Sequence, residues 1–345
     1  YMKVVADMDV PFLKGVLEPY GEVLYKKGVD ITADDVKDAD ALILRTRTIC
    51  DAALLDGSSV KLIATATIGT DHVDFDYCNS HGILVQNAAG CNAGGVMQYV
   101  FSALYGVAAR KGIKIDGATI GIVGVGNVGK KIEKMAEYLG FNVLRYDPPR
   151  AMAEGKDGFC SLEYLLENSQ IVTMHVPLDE NTRGMADETF FALMKPGAIF
   201  INAARGEVIN EDALIAASPK LGAIVIDTWC NEPNINIELL DLADIATPHI
   251  AGYSYQGKEN ATIMAVRAVA RFLGIRSLKY YKPKDQEEGH EPVLLDLKGK
   301  NHGEIAAVFQ YNYPIFTDDF RLRMNPAGFE KLRAAYQYRR EIYVE

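Results

Sequence analysis

Short apolar runs alternate with helix-like stretches through the first hundred residues of the chain. The runs fall at residues 3–6, 41–44, 62–64 and 83–85, and each has the length of a buried strand. Strands that alternate with helical spacers are typical of a parallel sheet, because each parallel connection has to cross over the sheet. The pattern therefore predicts a first α/β domain.

A long apolar segment with helical spacing, residues 93–111, connects this domain to a second alternating region. Beyond it, a helix is predicted at 130–139, and strands are predicted at 118–123, 142–146, 171–175, 198–202, 223–226 and 245–246. This arrangement predicts a second, doubly wound α/β domain. An amphipathic helix at 260–273 is expected to return to the first domain, which would then be built from both sides of the second in sequence.

The last part of the chain differs from the two alternating regions. Residues 282–292 are polar and rich in charge and proline, which is typical of a linker. After it we predict a strand at 293–297, a helix at 304–309, and a helix begun by Pro326 with Asn325 as its N-cap. A piece of this size is small for an independent core, so we expect it to pack against a partner chain.

The composition narrows the class of protein. With 345 residues, 49% hydrophobic and 24% charged, the chain is long enough for two or three globular domains. A formal net charge of −10 argues against a general affinity for nucleic acid or anionic membranes. Five cysteines without a C-x-x-C pair suggest neither a disulfide framework nor a zinc site, so we expect a reducing compartment, the cytoplasm.

A glycine-rich motif stands where a dinucleotide-binding site requires one. Gly124-Val125-Gly126-Asn127-Val128-Gly129 follows the predicted strand at 118–123 and opens the helix at 130–139. The first glycine permits a tight turn, the second lets a pyrophosphate approach the backbone, and the third lets the helix pack on the strand. The helix amino terminus then offers its N–H groups to the phosphates.

An acidic residue follows the next predicted strand of this domain. Asp147 lies roughly 20 residues beyond the glycine motif, where it is placed to accept hydrogen bonds from the ribose hydroxyls of an adenosine. This favours NAD over NADP. Arg150 works in the opposite direction, since a basic residue close behind the acid attracts a phosphate.

Three polar residues suited to hydride-transfer chemistry each follow a different strand of the second domain. They are Arg205, Glu232 and His249. A histidine exchanges a hydroxyl proton near neutral pH, a carboxylate holds its ring, and an arginine clamps a substrate carboxylate. Each residue alone has a structural explanation. Their shared placement at the ends of strands, where open α/β sheets bind ligands, favours a dehydrogenase site.

At these residues the sequence resembles the D-isomer-specific 2-hydroxyacid dehydrogenase family, and the match extends to about Tyr281. Residues 202–206 are similar to the arginine motif of the family, 227–233 to its glutamate motif and 247–252 to its histidine motif. The resemblance implies that Arg205 orients the substrate, Glu232 supports the base and His249 transfers the proton. It further implies cofactor contacts from Asp227, Val176, Ala203, Ala204, Arg205 and Gly252.

The resemblance also implies a domain arrangement of two Rossmann-like doubly wound domains and a small α+β tail. Residues 1–93 and 259–282 would form a flavodoxin-like substrate-binding domain. Residues 94–258 would form the NAD-binding Rossmann domain, and residues 283–345 a C-terminal dimerisation domain. The expected assembly is therefore a homodimer joined through the tail.

Several stretches are closer to one branch of the family, which acts on a phosphorylated four-carbon 2-hydroxy acid. These stretches are residues 64–67, 69–74, 90–93, 147–150, 249–253 and 257–258. In that branch the positions of Thr46, Thr67 and Tyr253 contact the substrate. Arg45 is the candidate for the phosphate, although alternation along a strand would aim Arg45 and Arg47 to one side and Thr46 to the other.

Other interpretations stay open. The substrate could be another 2-hydroxy acid, such as 3-phosphoglycerate or the product of glyoxylate reduction, and the fold could serve as a non-catalytic NAD-sensing scaffold. His72 lies between Asp71 and Asp74, but three ligands on one loop without a fourth make no convincing metal site, and we expect none. His175 is a rival base that we expect to be structural, and Cys230 lacks the charged partner of an activated thiolate.

Overall fold

The computed structural model describes residues 1–284 and 288–345. It divides into two compact units, a first unit of Tyr1–Asn92 with Tyr255–Glu291 and a second unit of Ala93–Ser254 with Pro292–Glu345. The predicted linker at 282–292 includes residues 285–287, which lie outside the described residues. Residues 292–345 belong to the second unit and share its core, and their role as a dimerisation domain stays a prediction.

The strands over the described residues are β1 (Met2–Asp7), β2 (Gly21–Lys26), β3 (Ala41–Leu44), β4 (Leu62–Thr65), β5 (Leu84–Gln86), β6 (Thr119–Val123), β7 (Asn142–Tyr146), β8 (Ile171–Met174), β9 (Ile199–Asn202), β10 (Ala223–Ile226), β11 (Ile245–Ala246), β12 (Val293–Leu295) and β13 (Ile342–Val344). The α-helices are α1 (Ala33–Val36), α2 (Ala52–Leu55), α3 (Phe75–Ser80), α4 (Ala93–Lys111), α5 (Asn127–Tyr138), α6 (Pro148–Glu154), α7 (Leu162–Asn168), α8 (Glu188–Leu193), α9 (Glu211–Ala217), α10 (Ile237–Leu242), α11 (Tyr255–Leu273), α12 (His302–Asn312), α13 (Ile315–Met324) and α14 (Phe329–Ala334).

The first unit is built on a parallel sheet with strand order β2-β1-β3-β4-β5. This is the doubly wound order of flavodoxin-like folds. Successive side chains along a strand point to opposite faces, so Val4 and Ile43 pack with Val266 of α11 on one face. Val5 and Leu42 pack in a separate cluster on the other face. Both faces are therefore covered, which explains the continuous apolar runs in the sequence.

The second unit is built on a parallel sheet with strand order β11-β10-β9-β8-β6-β7. One face carries α4, which is buried from Ala93 to Ala108. Helix α12 of the tail covers α4, with Phe309 stacked on Phe101 and Tyr105 at ring-centre distances of 6.2 and 5.5 Å. The tail therefore supplies part of the core that the long apolar helix needs.

Some elements differ from the sequence predictions. Strands β2 and β13 and helix α13 were not predicted, and Asn325 does not cap a helix through its side chain, because Pro326–Gly328 forms a 3₁₀ turn before α14. The alternation argument for Arg45 to Arg47 was wrong, since β3 ends at Leu44 and a turn follows. In the described part of the chain, no helix has both the length and the apolar character needed to cross a bilayer.

Candidate active site

The strands of the second unit place their carboxyl ends along one edge of the sheet. Gly124 follows β6, Asp147 follows β7, Arg205 follows β9, Asp227 follows β10 and His249 follows β11. The order of the chain reverses between β6 and β8, and open α/β sheets bind their ligands at such a point. The fold thus brings five separate stretches of sequence to one edge. The remaining predicted cofactor residues lie near the same edge: Asn127, Val128 and Gly129 begin α5, Val176 follows β8, Ala203 and Ala204 follow β9, and Gly252 follows β11.

The three glycines of the motif are required for different physical reasons. Gly124 has φ +93°, and a Cβ there would lie 2.7 Å from the backbone of His175. A Cβ on Gly129 would lie 2.3 Å from the carbonyl oxygen of Gly124, whereas a Cβ on Gly126 would meet nothing within 4 Å. The open space at Gly126, at the amino end of α5, is what a pyrophosphate needs. The loop therefore fits a dinucleotide.

Asp147 joins the glycine loop to helix α6. One carboxylate oxygen accepts the amide of Val125 at 2.9 Å and the other accepts the amide of Arg150 at 3.1 Å, so Asp147 caps α6. The Arg150 guanidinium donates to the carbonyl of Val125 at 2.8 Å and pairs with Glu154 at 2.7 Å. The Val125 carbonyl and Glu154 already bind the Arg150 guanidinium, so it is less available to the extra phosphate of NADP. The arrangement therefore favours NAD over NADP.

The loop that carries Arg205 is braced from within and from its neighbour. The side-chain oxygen of Asn202 accepts the amide of Ala204 at 3.0 Å, and its nitrogen donates to the carbonyl of Arg205 at 3.0 Å. A Cβ on Gly206 would lie 2.0 Å from the carbonyl carbon of Trp229, so the two loops touch through backbone. Arg205 itself is exposed and donates to the carbonyl of Ala204 at 2.9 Å. Its guanidinium is therefore accessible to a substrate anion.

Glu232 and His249 form a direct side-chain pair. The Nδ1 atom of His249 lies 2.8 Å from Oε2 of Glu232, while Oε1 of Glu232 accepts the amide of Trp229 at 3.0 Å. Burial raises the pKa of Glu232, but the hydrogen bond and the charge of His249 outweigh that effect and lower the pKa below its ordinary value. Glu232 is thus held as a carboxylate that orients the imidazole.

Asp227 hydrogen-bonds to the loop that carries His249, which we call the histidine loop. It is fully buried, and its carboxylate accepts the hydroxyl of Thr247 at 2.7 Å and the amides of Ile250 and Ala251 at 2.9 and 3.0 Å. Burial raises the pKa of Asp227. The amide of His249 donates to the Asp227 carbonyl at 2.8 Å while His249 adopts φ +58°, a left-handed conformation that costs about 1–2 kcal/mol. The contact of Asp227 with the nicotinamide of the cofactor stays a prediction.

The tail also holds the histidine loop. Arg339 is buried, with a guanidinium that donates to the carbonyls of Ile250 and Gly95 at 3.0 and 3.1 Å and also to the carbonyl of Ala251. Its guanidinium carbon lies 4.2 Å from the centre of the Tyr313 ring. Backbone of the loop that carries His249 is therefore fixed from two sides, by Asp227 and by Arg339.

The predicted substrate residues of the first unit follow two paired strands. Arg45 and Thr46 come after β3, and Thr67 comes after β4, whose end pairs with that of β3 at Leu44 and Thr65. Thr46 is exposed, whereas the Thr67 hydroxyl donates to the carbonyl of Gly69 at 2.7 Å. These residues therefore lie at the carboxyl edge of the first sheet. Tyr253, the fourth predicted substrate residue, lies in the second unit.

The residues considered as alternative metal-binding or catalytic groups are His72, His175 and Cys230, and their surroundings fit structural roles. His72 is buried against the Thr65 hydroxyl at 3.1 Å, and burial lowers its pKa. Burial likewise lowers the pKa of His175 to about 3, so this ring is neutral near pH 7, and it contacts the Thr173 hydroxyl at 2.7 Å. Burial raises the pKa of Cys230 to about 12, so its thiol is protonated. Among the described residues no cluster of three acidic, histidine or cysteine side chains is arranged to hold a metal.

Sequence reasoning missed the residues that position the site. Asn202 and Arg339 hydrogen-bond to loop backbone, and the Thr247 hydroxyl donates to the Asp227 carboxylate. Asn202 and Thr247 lie within the quoted motifs, but the sequence did not assign these positioning contacts to them. Trp229 offered a signal, because it is the single tryptophan of the chain. It is buried, and its indole N–H donates to the carbonyl of Thr247 at 2.9 Å, which links the glutamate loop to the histidine loop.

Comparison with known proteins identifies relatives of this chain. Residues 101–251 match the model of the D-isomer specific 2-hydroxyacid dehydrogenase NAD binding domain. Proteins named erythronate-4-phosphate dehydrogenase are similar over almost the whole chain. The one from Bacteroides fragilis is 44% identical, covering 99% of this chain and 97% of its own. The one from Escherichia coli O157:H7 is 37% identical, covering 99% and 92%.

Solved structures share the fold. The NAD+-bound 3-phosphoglycerate dehydrogenase of Entamoeba histolytica aligns with a TM-score of 0.63 at 27% identity, covering 83% of this chain and 99% of that one. The D-lactate dehydrogenase of Aquifex aeolicus, complexed with NAD and lactic acid, aligns with a TM-score of 0.62 at 25% identity, covering 82% and 100%. The predicted fold class and cofactor are thereby confirmed. The chain belongs to the D-isomer-specific 2-hydroxyacid dehydrogenase family and is an NAD-dependent oxidoreductase.

Proposed function

We propose that this enzyme oxidises 4-phospho-D-erythronate to (R)-3-hydroxy-2-oxo-4-phosphooxybutanoate, a step in the biosynthesis of pyridoxal 5'-phosphate. The printed names of its relatives, at 37 to 44% identity over nearly the full length, support this substrate. The observation that carries the chemistry is the 2.8 Å contact between His249 and Glu232 at the ligand-binding edge of an NAD-binding sheet.

The proposed roles follow from the chemistry of the side chains. His249 takes the proton of the substrate C2 hydroxyl at Nε2, the ring nitrogen that does not contact Glu232, and Glu232 stabilises the resulting imidazolium. Arg205 binds the substrate carboxylate with its planar fork of donors. When bound, NAD supplies the acceptor for the hydride. Glycines 124, 126 and 129 would hold its pyrophosphate, and Asp147 its ribose.

The remaining substrate contacts and the assembly are also proposals. Arg45, Thr46, Thr67 and Tyr253 would contact the phosphorylated acid, and the tail would join two chains into a homodimer. We also propose a location in the reducing cytoplasm, which the sequence supports because its five cysteines contain no C-x-x-C pair and suggest no disulfide framework.

The decisive experiment is a substrate comparison. We expect faster oxidation of 4-phospho-D-erythronate than of D-3-phosphoglycerate or D-lactate, measured as kcat/KM with NAD present and a 2-oxo acid added to regenerate it. Equal or better turnover of another acid would overturn the substrate assignment and leave the dehydrogenase chemistry in place.

A pair of histidine variants tests the catalytic site against the scaffold interpretation. His249→Ala should lower kcat by about 10²- to 10⁴-fold, the usual contribution of a positioned acid or base. His81→Ala is the control, because His81 is exposed on the first unit and stacks on Tyr77. Activity that survives His249→Ala unchanged would contradict the assigned role.

A further inference from the structure

A guanidinium from the tail lies near Tyr253, a proposed substrate contact. Arg333 belongs to α14, and its guanidinium carbon lies 5.9 Å from the centre of the Tyr253 ring. The charge of Glu232, the partner of His249, also acts on it. Arg333, Tyr253, Glu232 and His249 all belong to the second unit. Arg333 is therefore a candidate site residue, although it lies far along the sequence from the glutamate and histidine motifs.

Packing fixes the position of Arg333. Phe329 is fully buried and Leu332 packs against the same core, so α14 presents Arg333 from an anchored turn. Tyr253 is held in turn by the rings of Tyr336 and Tyr338, with centres at 5.7 and 5.3 Å. Arg333 and Tyr253 are therefore both held by packed neighbours, as a preorganised binding group requires.

The donors of Arg333 are only partly used by the protein. Its Nε is buried and has no hydrogen-bond partner among the described residues. Its ion pair with Glu330 is long, at 3.4 Å, and Glu330 is 60% exposed. A buried donor without a partner costs free energy, and a guanidinium fork matches the oxygens of a phosphate. Both facts point to an anionic ligand.

We propose that Arg333 binds the phosphate of the substrate and so makes the enzyme prefer phosphorylated over unphosphorylated 2-hydroxy acids. The inference rests on the proposed function, in which Arg205 takes the single carboxylate of the substrate. The phosphate is the remaining anionic group, and Tyr253, beside Arg333, is already a proposed substrate contact.

The test compares 4-phospho-D-erythronate with unphosphorylated D-erythronate in the full-length enzyme with NAD. Arg333→Gln should lower kcat/KM for the phosphorylated acid by about 10- to 100-fold, mainly through KM, as expected for one lost hydrogen-bonding charge. The value for D-erythronate should stay within about twofold. Arg333→Lys, which keeps the charge without the fork, should recover part of the loss.

Lys331→Gln is the matched control, since Lys331 is exposed on the same helix. It should leave both acids unaffected. Inorganic phosphate should compete with 4-phospho-D-erythronate in the native enzyme and less strongly in Arg333→Lys, which gives a second readout if Arg333→Gln does not fold.

The outcomes separate this inference from the proposed function. A native enzyme without preference for the phosphorylated acid overturns the proposed function and this inference with it. A native preference that persists in Arg333→Gln overturns the role of Arg333 alone. Equal losses with both acids would also overturn it, because they would show that Arg333 acts through Glu232 rather than on the phosphate.

Discussion

At the scale of single residues, the charge state of Glu232 links the site to stability. Its pKa is lower in the folded protein than in an unfolded chain, where a glutamate titrates near about 4.3. A depressed folded pKa means that the contribution of Glu232 to stability is fully present above about pH 4.3 and is lost as the pH falls through the folded value.

Glu232→Gln should therefore reduce the free energy of unfolding near neutral pH, and the difference from the native enzyme should shrink on acidification. Denaturant unfolding of both proteins at about pH 6, 5, 4 and 3 measures this difference. A difference that stays constant across this range would show that the carboxylate of Glu232 is not stabilised by His249 in the folded state.

The glycine loop allows a test that separates folding from cofactor binding. In Gly126→Ala the new methyl group meets nothing within 4 Å, so the free energy of unfolding should be unchanged. The methyl group would, however, occupy the space into which a pyrophosphate fits, and the Kd for NAD should rise by about tenfold or more. Calorimetric titration with NAD and denaturant unfolding measure the two effects.

Gly129→Ala is the contrasting variant, because its Cβ would lie 2.3 Å from the carbonyl oxygen of Gly124. It should destabilise the protein itself, by about 1–3 kcal/mol, as overpacking does. If Gly126→Ala lost stability to the same extent, or if it bound NAD as tightly as the native enzyme, the loop would not be a cofactor site of the kind proposed.

The proposed catalytic residues were the easiest to place from the sequence. Arg205, Glu232 and His249 each follow a recognisable strand, so the rule that parallel strands end at one edge places them together. Asn202 and Arg339 were not predictable in this way, because their partners are backbone atoms, of the same loop for Asn202 and of distant loops for Arg339. Arg333 was not predictable either, since its relation to Tyr253 depends on tertiary packing.

At the scale of elements, the buried strands agreed best with the prediction. The runs at 41–44, 223–226 and 245–246 coincide with β3, β10 and β11, which are buried and apolar throughout. The run at 142–146 coincides with β7, although this edge strand is only partly buried. Strand β2 escaped prediction because it is an edge strand with a polar sequence, GEVLYK. Strand β13 pairs with β12 across nearly fifty residues, which no local pattern reveals.

The tail is expected to hold the histidine loop, and Arg339 tests this role. Arg339→Met keeps an apolar stem but removes the donors to the carbonyls of Gly95, Ile250 and Ala251. Each buried polar group left without a partner costs about 1–3 kcal/mol, so the free energy of unfolding should fall by about 3 kcal/mol or more. Thermal and denaturant unfolding measure the loss.

Arg321→Met provides the comparison for this prediction. Arg321 is 57% exposed, and its ion pair with Asp318 is 3.6 Å long. Surface pairs of this kind contribute about 0–1 kcal/mol, so the variant should unfold almost like the native protein. Equal effects of the two substitutions would contradict a special role for Arg339 in holding the loop.

At the scale of the whole second unit, the tail has two different sides. Its inner side completes the core over α4 and reaches the site through Arg333 and Arg339. Its outer side carries large apolar residues, with Tyr311 89%, Phe320 52% and Met324 86% exposed. Phe320 and Met324 are four residues apart on α13 and so lie on one face of the helix. We expect this face to contact a second copy of the chain.

The double variant Phe320→Asp with Met324→Asp should therefore be a monomer, because burying two new carboxylates at an apolar interface is strongly unfavourable. The native enzyme should be a dimer at micromolar concentration, and sedimentation velocity distinguishes the two. Met152→Asp is the control, since Met152 is 90% exposed on α6, which is not part of the tail, and this variant should remain a dimer. A native monomer would contradict dimerisation, and a double variant that remains a dimer would place the interface elsewhere on the chain.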